Sequence, residues 1–429
     1  MSEQDPNIST MSDADEPSRP GTGNGAPAKS GGPPAEKLDD ADLATIANFM
    51  SNPHAMSVPP VESPFFDGVI QAAKLAPEFA EYARKFREDG FVVLDEFFDE
   101  RLIDAICDEF PWLFDPTTVF DAPKFVQDLL SLNPRRRQDA WWVSEPVKHL
   151  ACDERILALL ELLYGRQPIP FQTLNFLEGT EQATHSDAIH FASIPARFMC
   201  GVWVALEDIT EENGPLHYYP GSHKLPDVRL EELGMWGHTG TGAVSAEYTR
   251  YENHVRALIQ AHGLKQQRLT VKKGTALIWS NGLLHGGCPI AREGSTRMSQ
   301  VTHYYFSDCV YWSPINSNAA LGEYRLKEIH DLRTQERVPH SINGEPLHLL
   351  PTTGGNHRLM REGTESDWVV KPGLPQDVLN VVEAQIQAVL AAPKANALQR
   401  AETLAKLCDV ALRTAQRAPD QADLPDKQG

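Results

Sequence analysis

The chain has 429 residues, 41% of them hydrophobic, and a formal net charge of −20 from 39 basic against 59 acidic side chains. That balance argues against a general nucleic-acid or anionic-membrane surface, and no apolar run approaches the roughly 18 residues of a membrane span. A large buried core is within reach, as one domain with extensions or as two domains.

Residues 1–37 are dominated by Ser, Pro, Gly, Asp and Ala, with almost no large apolar side chain to offset the entropy of ordering, and a disordered tail is expected. The polar, acidic start lacks the basic-then-apolar pattern of a signal peptide. Cys107, Cys152, Cys200, Cys288, Cys309 and Cys408 are scattered without CxxC spacing, as in a reduced protein that uses cysteine as small apolar filler. These features predict a cytoplasmic protein.

After an N-terminal extension over residues 38–76, Phe79, Tyr82, Ala83 and Phe86 recur at helical spacing, and Gly90 follows as a C′ residue. A short apolar strand, Phe91 to Leu94, comes next. Asp99 is then placed to cap a helix whose Leu102, Ile103 and Ile106 share a face. The run Asn133 to Trp142 has the most unusual local composition. Its Arg135, Arg136 and Arg137 beside Trp141 and Trp142 could meet an anionic or aromatic ligand, but the preferred reading is a solvated basic corner next to a buried tryptophan. A helix from about Asp153 to Tyr164 leads into the strand Phe171 to Phe176. Gln172 and Asn175 on that strand are candidates for cofactor contact, with a satisfied core amide as the alternative.

The stretch Ala183 to Phe191, ATHSDAIHF, carries His185 and Asp187. On a strand, residues two apart share a face, so imidazole and carboxylate would lie side by side as two of three metal ligands, while His190 would face away. Phe198 to Leu206 reads as a fully buried strand, Asn213-Gly214 as a turn and Leu216 to Tyr219 as a returning strand. His217 and His223 have no carboxylate at ligand spacing and are read as structural. The region 225–267 is longer than a turn needs. Tyr248, Tyr251, Val255, Leu258 and Ile259 predict an amphipathic helix there, a candidate substrate wall. The strand Thr275 to Trp279 delivers His285, the candidate third ligand, flanked by Gly282, Gly286 and Gly287. Two imidazoles and one carboxylate on one face of an octahedron leave other positions open, as in non-heme Fe(II) oxygenases.

Twelve residues beyond His285 stands Arg297, with Ser299 on the same face by strand parity. A guanidinium fork beside a hydroxyl suits a carboxylate, here the far end of a dicarboxylate whose near end chelates the metal. His303 shares the parity and is read as a buried structural histidine, with a pocket or acid/base role as the alternative. Residues 315–374 are rich in Pro, Asn and Gly and predict a wrapping or lid segment with little regular structure. Over 375–417, one stripe of Val378, Leu379, Val382, Ile386, Val389 and Leu390 and a second containing Leu398, Leu404 and Leu412 predict a C-terminal helical hairpin. It would pack on its own domain or, alternatively, form a homodimer contact. Residues 418–429 read as a loose tail.

The blocks GFVVLDEFF, HSDAIHF, NGPLHYYPGSHK, LLHGGCP and STRMSQVTHYYF resemble the phytanoyl-CoA dioxygenase (PhyH) family of Fe(II)/2-oxoglutarate-dependent oxygenases, over roughly Ala76 to Pro314. The resemblance implies a mainly β fold with flanking helices and a double-stranded β-helix (jelly-roll, cupin-like) oxygenase domain over 77–314. It implies Fe(II) on His185, Asp187 and His285 and 2-oxoglutarate on Arg297. It further implies a dioxygenase that converts 2-oxoglutarate and O2 to succinate and CO2 while oxidising a small-molecule substrate. Retention of Asp187 favours hydroxylation of an unactivated C–H bond. Which substrate, among CoA thioesters, natural-product intermediates and saccharide intermediates, is not implied. Two other classes fit fewer features. A jelly-roll hydrolase or isomerase with Zn²⁺ on the same three residues has no use for Arg297 with Ser299, and a non-catalytic binding protein has no use for a full ligand set.

Overall fold

The computed structural model describes residues 57–361, apart from residues 74, 132, 236–243 and 353–354. The expected N-terminal tail, the first part of the 38–76 extension, the C-terminal hairpin with its dimer contact, and the final tail lie outside the described residues.

The helix Pro77–Asp89 buries Ala80, Ala83 and Phe86 and ends at Gly90, whose left-handed φ of 82° turns the chain into strand β1, Phe91–Leu94. Asp99 then caps the helix Glu100–Leu113 by accepting the Arg101 N–H at 2.8 Å, and Ile103, Ile106, Phe110 and Leu113 form its buried stripe. Strand β2, Arg136–Gln138, follows, and the helices Glu145–Ala151 and Glu154–Tyr164 lead into β3, Pro168–Phe176. Next come β4 (Ala192–Ile194), β5 (Met199–Ala205) and β6 (Leu216–Tyr218). After the helix Val244–Ala261 the chain forms β7 (Gln267–Leu269), β8 (Ala276–Ser280), β9 (His285–Gly287), β10 (Ser299–Phe306) and β11 (Val310–Trp312).

Six of these strands make a large antiparallel sheet in the order β1-β8-β5-β10-β3-β2, and three make a small antiparallel sheet in the order β7-β6-β9. Strand alternation explains the layers. On β5 every residue is buried because both faces of the large sheet are covered. Val202 and Val204 point into the core shared with the helices, whereas Trp203 and Ala205 point into a second core with Leu216, Tyr218 and Leu269 of the small sheet. The fold is therefore sheet-rich with flanking helices, its two sheets facing each other in jelly-roll fashion. Polar groups tie the helical layer on: Tyr304 donates to the Ala151 carbonyl at 2.7 Å and Gln300 to the Val147 carbonyl at 3.0 Å. No helix among the described residues is long and apolar enough to cross a membrane. Cys107, Cys152, Cys200, Cys288 and Cys309 are free thiols.

The segment after Tyr311 differs from its expected irregularity. Three short strands, β12 (Ser341–Ile342), β13 (Glu345–Pro351) and β14 (His357–Arg361), form an antiparallel meander. Its first turn is Asn343-Gly344, both at positive φ (56° and 75°), a hairpin signal that the surrounding polar composition hides.

Two structural histidines make stability depend on pH. His223 donates from Nε2 to the Arg87 carbonyl at 3.0 Å, and His340 Nδ1 accepts the Tyr311 N–H at 3.3 Å. Burial pushes each imidazole down to about 4. The unfolded chain, with imidazoles near 6.5, therefore takes up these protons first, and stability falls as the pH drops from about 6.5 toward 4, by on the order of 2–3 kcal/mol per group over the whole window. Thermal melts between pH 7 and 5 are expected to show this decline, with a shallower slope in His340→Gln.

Candidate active site

Two residues a hundred positions apart meet through a single backbone bridge. His185 N donates to the His285 carbonyl and His285 N to the His185 carbonyl, each at 2.9 Å, which extends the small sheet beyond β9 by one residue. A pair that exchanges both hydrogen bonds carries its side chains on the same face, and the two imidazole centroids lie 4.6 Å apart. Asp187 does not continue a strand, as the alternation argument assumed. It opens a 3-10 turn, Asp187–Ile189, whose Ala188 N–H is held by the Asn281 carbonyl at 3.0 Å, while the Asn281 amide donates to the Phe191 carbonyl at 3.0 Å. The same turn overturns the expectation for His190, which lines the cavity with its ring stacked on Tyr248 at 5.5 Å. Tyr248 lies on the helix Val244–Ala261, and Tyr251 of that helix accepts the Ser186 N–H at 2.9 Å, so the long insertion braces the ligand loop.

His185, Asp187 and His285 form a group whose ligand atoms all lie within 4.8 Å of one another. Asp187 Oδ1 is 4.0 Å from His185 Nε2 and 3.9 Å from His285 Nε2. Each histidine has its Nδ1 at 2.9 Å from a carbonyl two residues earlier, Ala183 for one and Leu283 for the other. A carbonyl can only accept, so Nδ1 carries the proton and the Nε2 lone pair faces the cavity, the tautomer a metal ligand needs. Burial, followed by the neighbouring His285, pushes His185 down to about 3, so its imidazole is neutral at neutral pH. For Asp187, burial acts upward, but His285, His303, His185 and the Trp279 hydrogen bond together hold the carboxyl below its ordinary value. The arrangement is thus two imidazole nitrogens and one carboxylate, a donor set suited to a divalent metal.

The second carboxylate oxygen is already spoken for: Trp279 Nε1 donates to Asp187 Oδ2 at 2.7 Å, leaving Oδ1 for the group. The indole reaches it because position 201 on the adjacent strand is glycine, where a Cβ would fall 2.4 Å from the Trp279 ring. Gly201→Ala is expected to displace the indole, free the carboxylate to rotate and weaken metal binding by about 10–100-fold, measured by metal titration. A glycine is also required at 286, where a Cβ would meet the Gln182 carbonyl at 2.7 Å and the His217 ring at 2.8 Å. His217 itself bonds Thr184 Oγ1 at 2.8 Å, a structural role like that of His223.

Arg297 lines the same cavity from the segment just before β10, at 1% exposure. Its Nε and Nη1 are buried without a hydrogen-bond partner among the described residues, and so is the hydroxyl of Ser299, at 0% exposure. Burial pushes the guanidinium down to about 10, still far above neutral pH. A buried charge with idle donors is costly unless an anion completes it, so Arg297 fits a bound carboxylate, while Ser299 is not among the residues that line the cavity. Gln172 also lines the cavity, and its Oε1 lies 3.0 Å from His303 Nδ1. His303 faces the cavity as well, with Nε2 at 3.8 Å from Asp187 Oδ2. Asn175 does not reach it. Three residues on from Gln172, it takes the opposite face of β3 and donates to Gln300 Oε1 at 3.1 Å, within the layer toward the helices.

The arginine run divides into three environments, contrary to a single solvated corner. Arg135 is exposed beside Glu178 at 3.5 Å, and Arg137 is buried, donating to the Leu113, Asn133 and Phe114 carbonyls. Arg136, between them on β2, turns into the cavity with Gln138. Other lining groups had no local signal in the sequence. Trp203 brings a buried indole N–H that has no partner among the described residues, and Lys327 arrives from the segment after β11 with its ammonium 4.3 Å from the Phe191 ring centroid. Burial pushes Lys327 down to about 8.

Two facing sheets that enclose an open His/Asp/His group and a buried, unpaired guanidinium define a jelly-roll domain built to hold a metal ion together with an anionic ligand. Residues 86–298, just under half of the chain, match the model of the family described as phytanoyl-CoA dioxygenase (PhyH). The chain is 37% identical over 188 residues to phytanoyl-CoA dioxygenase domain-containing protein 1 of Danio rerio, covering 43% of this chain and 60% of that protein. It is 27% identical over 219 residues to ectoine dioxygenase of Sphingopyxis alaskensis, covering 49% and 71%. Among solved structures, it is similar to the non-heme alpha ketoglutarate dependent epimerase SnoN from nogalamycin biosynthesis, with 20% identity, a TM-score of 0.40 and 55% and 85% of the two chains covered. It is also similar to EctD from S. alaskensis with 2-oxoglutarate and 5-hydroxyectoine, at 22% identity, a TM-score of 0.39 and 54% and 76% coverage.

Proposed function

We infer that the chain is an Fe(II)- and 2-oxoglutarate-dependent dioxygenase that hydroxylates an unactivated C–H bond of a small molecule. The observation that carries this reading is one cavity holding both an open three-ligand group and a buried guanidinium whose donors are idle. The match of residues 86–298 to the model of a dioxygenase family supports it.

In this reading His185 and His285 offer their Nε2 lone pairs and Asp187 its Oδ1 to the iron. Trp279 keeps the carboxylate from turning. Arg297 receives the distal carboxylate of 2-oxoglutarate through its Nε and Nη1. Bound there, iron and 2-oxoglutarate supply dioxygen activation, with one oxygen atom entering the substrate C–H bond and the other the succinate formed as CO2 leaves. The chain's own task is placement and exclusion of water: Phe191, Trp203, Trp279 and Val301 wall the cavity with apolar surface. A hydrolase, an isomerase or a non-catalytic binder gives the idle donors of Arg297 no ligand.

The test is coupled turnover. Full-length protein with Fe(II), 2-oxoglutarate, O2 and candidate substrates is expected to release succinate and CO2 in equal amounts and to take up oxygen. Turnover that persists without 2-oxoglutarate would contradict the reading.

A further inference from the structure

Two cations on the cavity wall have no task in that chemistry. Arg136, on the edge strand β2, has a buried Nε without a partner, and Lys327 is in no ion pair among the described residues. The carboxylate that acts electrostatically on Lys327 is Asp139, and it lies outside ion-pair distance with its Oδ1 accepting the Thr173 N–H at 3.1 Å. This is a chain whose net charge is −20, so two cations that face one cavity with no ion pair among the described residues run against its overall balance. The charges of a ferrous ion, Asp187, Arg297 and the 2-oxoglutarate dianion cancel one another. Arg136 and Lys327 are left over on the metal side; Asp139 and Glu328 line the adjoining chamber, and an anionic occupant at the junction would pair the two cations directly.

The shape of the space adds a second requirement. The metal-side cavity, about 360 Å³, adjoins another of about 520 Å³, and Gln138, Gln172 and Lys327 line both. The second chamber is walled by Phe125, Trp141, Trp142 and Phe171, with the two indoles stacked at 4.4 Å between centroids and Phe125 edge-on to Trp142 at 6.1 Å. Flat aromatic walls of this kind favour a flat or apolar guest.

We propose that the substrate is an organic anion with a planar apolar portion: its anionic group sits on Arg136 and Lys327 at the junction, its apolar portion in the tryptophan chamber, and the carbon to be oxidised on the metal side. Only the last clause rests on the oxygenase reading. A guanidinium and an ammonium together recognise a carboxylate or a phosphate ester by charge-assisted hydrogen bonds, while the neighbouring amides of Gln138 and Gln172 complete its remaining lone pairs.

Calorimetric titration of the metal-free, full-length protein with 3-phenylpropanoate and with its neutral counterpart 3-phenylpropanol tests this. The acid is expected to bind at least about tenfold more tightly than the alcohol, the worth of one charge-assisted hydrogen bond. Arg136→Gln and Lys327→Gln are each expected to erase most of that difference, and Arg136→Lys, which keeps the charge, to retain part of it. Trp142→Ala is expected to weaken acid and alcohol alike. Equal binding of acid and alcohol, or no binding of the acid, would overturn the proposal. So would acid binding that survives both glutamine variants but is lost in Arg297→Met, because the anion would then occupy the cosubstrate receptor. Circular dichroism of each variant separates loss of the subsite from loss of fold, and Arg136→Lys serves where Arg136→Gln does not fold. The assay contains neither iron nor 2-oxoglutarate, so its failure removes the substrate class and leaves the oxygenase reading to its own test.

Discussion

Replacing Arg297 by methionine is expected to stabilise the metal-free protein while removing its affinity for 2-oxoglutarate. The guanidinium is buried with Nε and Nη1 unpaired, and its nearest ring, Phe176, lies 5.9 Å from the charge centre. Exchanging such a charge for an apolar side chain of similar length is expected to add about 1–4 kcal/mol to folding stability, because the desolvation cost disappears. The same change deletes two charge-assisted hydrogen bonds to a carboxylate, each worth about 1.5–3 kcal/mol, so 2-oxoglutarate affinity should fall by roughly 10²–10⁴-fold. Thermal melting and ligand titration of one variant read both effects. A purely structural arginine would lose stability on substitution and leave ligand binding unchanged. Arg297→Lys separates charge from geometry: a point charge cannot reproduce the planar fork, so binding weakens while the cost of burial persists.

Asp187→Ala is expected to abolish iron-dependent succinate formation. The carboxylate is the anionic member of the group and stands within 4.0 Å of both imidazole nitrogens. Removing it leaves two imidazole donors and no anionic one, and metal affinity should drop by more than the roughly 10–100-fold typical of losing a supporting contact. Trp279 would lose its acceptor in the same variant, leaving a buried indole N–H unsatisfied. The expected signature is loss of metal binding with the circular dichroism spectrum retained. Turnover at the parental rate would mean that the metal is held elsewhere.

Much of this site can be read from spacing. His185 and Asp187 stand two apart, and of Arg297, Ser299 and His303, which share one parity, Arg297 and His303 line the cavity. The His185–His285 meeting is a different kind of fact, since it depends on a single cross-sheet bridge that no local pattern encodes. Where alternation misled, the backbone had left the strand: the 3-10 turn at Asp187 carries His190 into the cavity. Asn175 and Gln172 show how sharp the rule is when the strand is regular, because three residues of separation send one amide to the cavity and the other to the helical layer. The arginine run was opaque for the same reason. Three consecutive side chains on or beside a short edge strand take different surroundings, and composition alone cannot say which of them faces inward. Lys327 had no motif at all. Its place follows from the pairing of β11 with β4 and the backbone bond from Lys327 N to the Tyr311 carbonyl at 2.9 Å, which lay the following segment across the cavity.

The most direct measurement is an anaerobic titration of the full-length protein with Fe(II) and then 2-oxoglutarate, followed by visible absorption and metal analysis. One iron per chain, saturable 2-oxoglutarate binding that requires that iron, and loss of both in Asp187→Ala are the predicted results. Iron binding unchanged in Asp187→Ala, or 2-oxoglutarate binding unaffected by Arg297→Met, would contradict the assignment.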